Sequence, residues 1–164
     1  MAPDDVIDRD DETADRFAAG GRSVGETSNP LLETADGHPQ RAIMLAHHLW
    51  ERVRRGGTAT LADWSAAHGS VTSQLEPEFD AQWRRPQPRE QKVLRSVVAG
   101  GGSPYRQAVL DRLDLDTSTA QGAVKRLTAV ADLEPGDRGK HRLVDPLFGE
   151  WIGRLDTGEP VGNP

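Results

Sequence analysis

The sequence predicts a mostly α fold: a small helical bundle followed by a winged helix-turn-helix domain with a two-stranded wing. Three observations carry that expectation. Apolar residues recur at helical spacing in segment after segment, and Asn29-Pro30, His38-Pro39 and Asp145-Pro146 each read as an N-cap with proline at the first helical position. The run Arg84-Arg85-Pro86-Gln87-Pro88 breaks helicity and marks a domain boundary. Beyond it, two short helices joined by a tight turn precede a Pro-Gly-Asp hairpin signal.

The elements follow in order. Residues 1–28 lack sustained periodicity, with Val6, Ile7, Phe17 and Val24 isolated among charges, and are expected to form a disordered acidic segment. A short helix carrying Leu31 and Leu32 runs from Asn29-Pro30 to Gly37. His38-Pro39 opens the next, with Ala42, Met44 or Leu45, Leu49 and Val53 inward, ending at Gly56-Gly57 after Arg52, Arg54 and Arg55. Thr60 caps a third, striped by Leu61, Trp64, Val71 and Leu75. Pro77 is then expected to kink it or to start a fresh helix holding Phe79 and Trp83. Residues 29–85 are the first domain.

The second domain spans 87–155. A helix over Pro88–Ala99 turns Val93, Leu94, Val97 and Val98 inward and stops at Gly100-Gly101-Gly102. Ser103-Pro104 is expected to open a helix with Tyr105, Val109, Leu110 and Leu113. After the turn at Asp114 to Asp116, a third helix buries Ala120, Ala123, Val124 and Leu127. Residues 131–134 and 140–144 flank the turn Pro135 to Gly139 as a wing, and Leu147, Phe148, Trp151, Ile152 and Leu155 repeat along a last helix. Residues 156–164 are expected to be a disordered tail.

Composition narrows the function. The 164 residues contain no cysteine, which excludes disulfides, thiolate metal sites and a cysteine nucleophile. The longest apolar run, Ala42 to Ala46, is far too short for a membrane span, and the acidic start is unlike a secretory leader. The expectation is a soluble, cytoplasmic protein with no membrane partner. The net charge of -6 is unevenly spread: residues 1–16 hold seven acids against two arginines, whereas residues 84–142 hold twelve Lys or Arg against seven Asp or Glu. His38, His47, His48, His68 and His141 lack metal-ligand spacing, so no metal site is expected, and no catalytic constellation is recognisable. Gly100-Gly101-Gly102-Ser103 follows a helix and lacks the phosphate-loop pattern.

Two sets of residues are candidates for binding. On the helix after the turn, Ser118, Gln121, Lys125 and Arg126 lie outside the apolar stripe. With Arg138 and Lys140 of the wing they would meet duplex DNA, Gln121 at a base edge and the cations at phosphates. Asp111, Asp114, Asp116, Asp132 and Asp137 lie among them and oppose a polyanion.

The second set rests on a resemblance. Asn29-Pro30-Leu31-Leu32-Glu33-Thr34-Ala35-Asp36-Gly37-His38-Pro39-Gln40-Arg41-Ala42 resembles the lid-domain opening of AAA+/STAND-type ATPases, where a G-x-P segment starts the helix beside the nucleotide. Glu90 to Arg95 and Leu143-Val144-Asp145-Pro146-Leu147-Phe148-Gly149-Glu150-Trp151 resemble the C-terminal winged helix of the same proteins, where a strand runs into a D-P-x-F-x-x-W helix. The resemblance covers residues 29–155 and makes the first domain lid-like. It implies ATP as cofactor, with Pro39 and His38 near adenine or ribose and Arg41 as the nearest charge for the phosphates. The P-loop, the Walker B acid and the sensor 1 residue would belong to an upstream core, a partner that this sequence does not contain. The resemblance therefore implies the C-terminal regulatory portion of such an ATPase, not catalytic alone. A stand-alone winged-helix regulator of transcription and a protein-interaction module are the other readings.

Overall fold

The computed structural model describes residues 9–157, and those residues form eight α-helices and one two-stranded sheet. The helices are α1 (Arg9–Ala19), α2 (Ser28–Ala35), α3 (Pro39–Arg52), α4 (Leu61–Trp83), α5 (Pro88–Ala99), α6 (Gln107–Arg112), α7 (Thr117–Ala129) and α8 (Pro146–Thr157). Strands β1 (Leu133–Pro135) and β2 (His141–Leu143) stand between α7 and α8. The mostly α class with a two-stranded wing is thus the observed one. No helix among the described residues is long and apolar enough to cross a membrane.

The chain divides between Gln74 and Leu75 into two units. The division falls inside α4, earlier than the Pro-rich run that the sequence marks. Its reason lies in the second half of that helix, where Leu75 and Phe79 are buried in the core of the second unit. Pro77 neither breaks nor restarts α4, which is continuous over 23 residues. A proline inside a helix costs about 3 kcal/mol; here its ring is exposed, and the buried Leu75 and Phe79 on either side hold the turn.

In the first unit, the segment expected to be disordered is largely folded from Arg9 onward. It forms α1 and a 3-10 turn (Gly25–Thr27), and it buries Phe17, Val24 and Thr27. The loop after α1 also runs beside the loop after α3. Ser23 N–H donates to Gly57 O (3.0 Å), Ala59 N–H to Ser23 O (2.8 Å) and Gly56 N–H to Gly21 O (2.6 Å). Residues 1–8 of the expected acidic segment and 158–164 of the expected tail lie outside the described residues. The tail's first two residues, Asp156 and Thr157, continue α8.

The starts of α3 and α4 follow the sequence signals, whereas α2 begins at Ser28 after Thr27, so Asn29 and Pro30 lie inside it rather than at its cap. His38 caps α3, its Nδ1 accepting from Arg41 N–H (3.4 Å), with Pro39 at the first helical position. Thr60 and Asp63 cap α4 reciprocally: Asp63 Oδ2 accepts from Thr60 N–H (2.9 Å), and Thr60 Oγ1 from Asp63 N–H (3.2 Å). The inward face of α3 is Arg41, Leu45 and Leu49, followed by Val53, so the fully buried stripe begins at Arg41 rather than Ala42.

The second unit is built around aromatic rings. Phe79 lies 5.5 Å from Phe148, which stacks on Trp151 at 5.8 Å, and Trp151 meets Trp83 at 6.2 Å between ring centres. Trp151 Nε1–H donates to Glu76 Oε1 (2.9 Å), so the indole is buried without losing its hydrogen bond. The rest of this unit's buried core comes from Val93, Leu94 and Val97 of α5, Val109 and Leu110 of α6, and Ala120, Ala123, Val124 and Leu127 of α7. The helix expected from Ser103-Pro104 begins only at Gln107. Residues 100–104 are instead held in place by Ser96 Oγ–H, which donates to Val93 O (2.7 Å) and Pro104 O (3.3 Å), and by His141 N–H on Gly102 O (2.7 Å). The wing is antiparallel, pairing Leu133 with Leu143, Glu134 with Arg142 and Pro135 with His141. Leu133 and Leu143 face the core, while Glu134 Oε1 and Arg142 Nε form an outward ion pair at 2.6 Å.

Candidate functional site

A groove of about 430 Å³ opens in the first unit between α1, α2 and α3. Its lining is largely apolar and includes Phe17, Leu32, Ala42, Ala46 and Trp50. Gly37 and Pro39 lie on its wall. Ile43 on the rim is 60% exposed, an unusual position for a large aliphatic side chain.

The Arg22 guanidinium lies 3.7 Å over the Trp50 ring, and Arg22 Nε–H donates to Val53 O (2.7 Å). Gly20 makes room for the indole: a Cβ there would come 2.8 Å from Trp50 Nε1. Polar groups sit at the mouth. Glu12 and Arg16 of α1 pair at 2.7 Å, and His47 lies 3.6 Å from Glu51. The groove therefore offers largely apolar surface, with the charges of Glu12 and Arg16 paired among its lining residues.

The three residues that the resemblance places at a nucleotide are not equivalent here. Pro39 lines the groove, and His38 is committed to capping α3. Arg41 is only 4% exposed, and its Nη1–H points to Met44 Sδ at 3.3 Å. The expectation that Arg41 meets phosphate is corrected by this burial, which turns the side chain into the protein interior.

The candidate DNA face lies in the second unit. Ser118, Gln121, Lys125 and Arg126 of α7, and Arg138 and Lys140 of the wing, are all exposed as the helical spacing predicts. Two of them are committed elsewhere. Ser118 Oγ–H donates to Asp116 Oδ1 (2.6 Å) within the cap of α7, where Thr119 donates both its N–H (2.9 Å) and its hydroxyl (2.6 Å) to the same carboxylate. These donors hold Asp116 well below the usual carboxylate range. Arg126 Nε–H donates to Glu90 Oε1 at 2.6 Å, while Glu90 Oε2 accepts from Gln87 N–H (2.8 Å) to cap α5. Burial pushes the Glu90 carboxyl up, but these hydrogen bonds and the charges of Arg126 and Arg89 outweigh it and leave the group below its ordinary value. Lys125, Arg138 and Lys140 have no ion-pair partner among the described residues.

No group of three or more His, Asp or Glu side chains that could hold a metal occurs among the described residues. The groove is not legible in the sequence because one of its walls comes from α1, a segment without an apolar stripe. No family model, no curated protein and no solved structure matches this chain.

Proposed function

We propose that this chain is the nucleotide-responsive regulatory portion of an AAA+/STAND-like ATPase. Its first unit lies against the adenine of ATP held by a P-loop core, and its second unit passes the nucleotide state on. The chain supplies no catalytic group of its own. The observation that carries the reading is that Gly37 and Pro39, the G-x-P of the resemblance, line the apolar groove that Phe17, Leu32, Ala42 and Trp50 complete. That lining fits a purine base. It does not fit the phosphates, because Arg41 is buried and Arg16 is paired with Glu12 at the mouth. Phosphate binding and hydrolysis thus belong to the core, while Pro39 and the α1–α3 walls orient the base and exclude water from one of its faces.

Saturation-transfer NMR tests this on the chain alone, with adenosine, ATP and ribose 5-phosphate as probes. An apolar contact with one base corresponds to an affinity near 1 mM, about 4 kcal/mol of binding free energy. Transfer is expected to the H2 and H8 protons of adenosine and ATP, and not to ribose 5-phosphate. Ala42→Trp and Ala46→Trp, each filling the groove from α3, are expected to abolish it while the far-UV circular dichroism is kept. Absence of transfer to the wild-type chain, or transfer that survives both substitutions, overturns the reading.

A further inference from the structure

The geometry points to a binding site for a small apolar amino acid in the second unit, in a cleft between the α4–α5 turn and the end of α7. The inference is independent of the nucleotide reading and uses a different unit of the chain. The cleft has a volume of about 360 Å³, enough for a small molecule. Pro86, Leu127 and Val130 supply its apolar wall, and four charged residues line it as well: Arg85, Glu90, Arg126 and Asp132. Two of the four cancel. Arg126 Nε–H donates to Glu90 Oε1 at 2.6 Å, and Glu90 Oε2 accepts from Gln87 N–H at 2.8 Å, so this pair serves the fold. Arg85 is exposed and lacks an ion-pair partner among the described residues, whereas its neighbour Arg84 is paired with Asp80 at 2.7 Å. Asp132 Oδ1 accepts from Gln82 Nε2 (3.1 Å), and no hydrogen bond among the described residues reaches its Oδ2. One cation and one anion are thus left to a ligand.

A single residue ties these two together. Gln82 holds Asp132 through its side chain, and its carbonyl accepts from Arg85 N–H at 3.2 Å. On the other side of the cleft α7 ends in a closed left-handed turn. Ala131 has φ 59°, and Asp132 N–H donates to Leu127 O at 3.0 Å. Val130, just before that turn, is 66% exposed. A lone exposed valine says little. In a cleft that also holds Pro86, Leu127 and two opposite charges, it extends an apolar wall.

The charges select the ligand class. Two arginines against one Glu and one Asp give the lining no net charge, which disfavours a phosphate or any other strong anion. A simple carboxylate would pair with Arg85 but be opposed by Asp132, and a simple amine would meet the reverse. An α-amino acid carries both charges on one carbon. Its carboxylate accepts from the Arg85 guanidinium and its ammonium donates to Asp132 Oδ2, while an aliphatic side chain covers Pro86, Leu127 and Val130.

The test is a ¹⁵N–¹H NMR titration of the full chain with L-leucine, with 4-methylpentanoate (no ammonium) and 3-methylbutylamine (no carboxylate) as matched probes. L-leucine is expected to shift the amide signals of Leu127 to Asp132 with a dissociation constant of about 1 mM, and each matched probe to bind about 5-fold or more weakly. Arg85→Ala should weaken L-leucine and 4-methylpentanoate by about 5–10-fold and leave the amine unchanged. Asp132→Asn should weaken L-leucine by a similar factor without weakening 4-methylpentanoate. Arg84→Ala should change neither. Unmoved signals up to about 20 mM L-leucine, 4-methylpentanoate binding as tightly as L-leucine, or an Asp132→Asn loss equal for both ligands would overturn the inference. Adenosine, the probe for the first unit, should leave these signals in place, so the two readings stand or fall separately.

Discussion

Replacing Arg126 by alanine separates a structural cation from a binding one. The side chain donates Nε–H to Glu90 Oε1 at 2.6 Å, and the Glu90 side chain is 12% exposed while that of Arg126 is 49% exposed. A charge-assisted hydrogen bond contributes about 1.5–3 kcal/mol, and the half-solvated guanidinium reduces this to about 1–2 kcal/mol. Glu90 keeps its bond from Gln87 N–H, so the cap of α5 survives the substitution. With a urea dependence of about 2 kcal/mol per molar, the unfolding midpoint followed by circular dichroism should fall by about 0.5–1 M. Arg126→Lys should recover less than half of that, since an ammonium cannot copy the planar donor.

The pH dependence has a definite sign. The Glu90 carboxyl lies below its ordinary value in the folded chain, so its contribution is complete above the unfolded value, near pH 4.3, and is lost as the pH falls through the folded one. The stability gap between wild type and Glu90→Gln should therefore be constant from pH 7 to about pH 5 and narrow below about pH 4. A midpoint for Arg126→Ala within 0.2 M (about 0.4 kcal/mol) of wild type would refute the structural assignment. So would a stability gap that widens on acidification.

Two further substitutions probe close approaches. Gly20→Ala drives a methyl to 2.8 Å from Trp50 Nε1; displacing the indole disturbs its contact with Arg22, and the expected loss is about 1–2 kcal/mol in urea unfolding, together with weaker adenosine signals in NMR. Gly102→Ala combines φ 88° with a Cβ 2.9 Å from His141 O, and should cost more, about 2–4 kcal/mol, read as a lower thermal midpoint with broadened amide signals for the wing.

The helices of the second unit were legible because capping residues and apolar spacing agree. Asp116 caps α7, Asp145 accepts from Leu147 N–H (3.1 Å) at the start of α8, and the stripe Ala120, Ala123, Val124, Leu127 is buried as its spacing dictates. The wing was legible from its turn. Less of the first unit could be read. α1 has one deeply buried apolar residue, Phe17, so no periodic stripe announces it. The loop that follows it is fixed by contacts far along the chain, Arg22 with Trp50 and, 31 positions away, with Val53. The site residues divided along the same line: exposure on α7 follows from helical period, but the commitment of Arg126 to Glu90, 36 residues earlier, does not. Arg41 was misjudged because a buried arginine on a helix's inward face contradicts ordinary partition, and only the packed unit shows it.

The hydrogen bond from His141 N–H to Gly102 O has a consequence for association. A two-stranded ribbon has two outer edges, each a row of amides and carbonyls that could template strand addition from another chain. One edge of β2 pairs with β1, and its other side is met by the glycine run that leaves α5. The same Gly102 that admits the backbone so closely also occupies an amide that an intruding strand would need. The wing can thus extend an exposed, charged tip into solvent while the outer side of β2 is met by its own chain at His141.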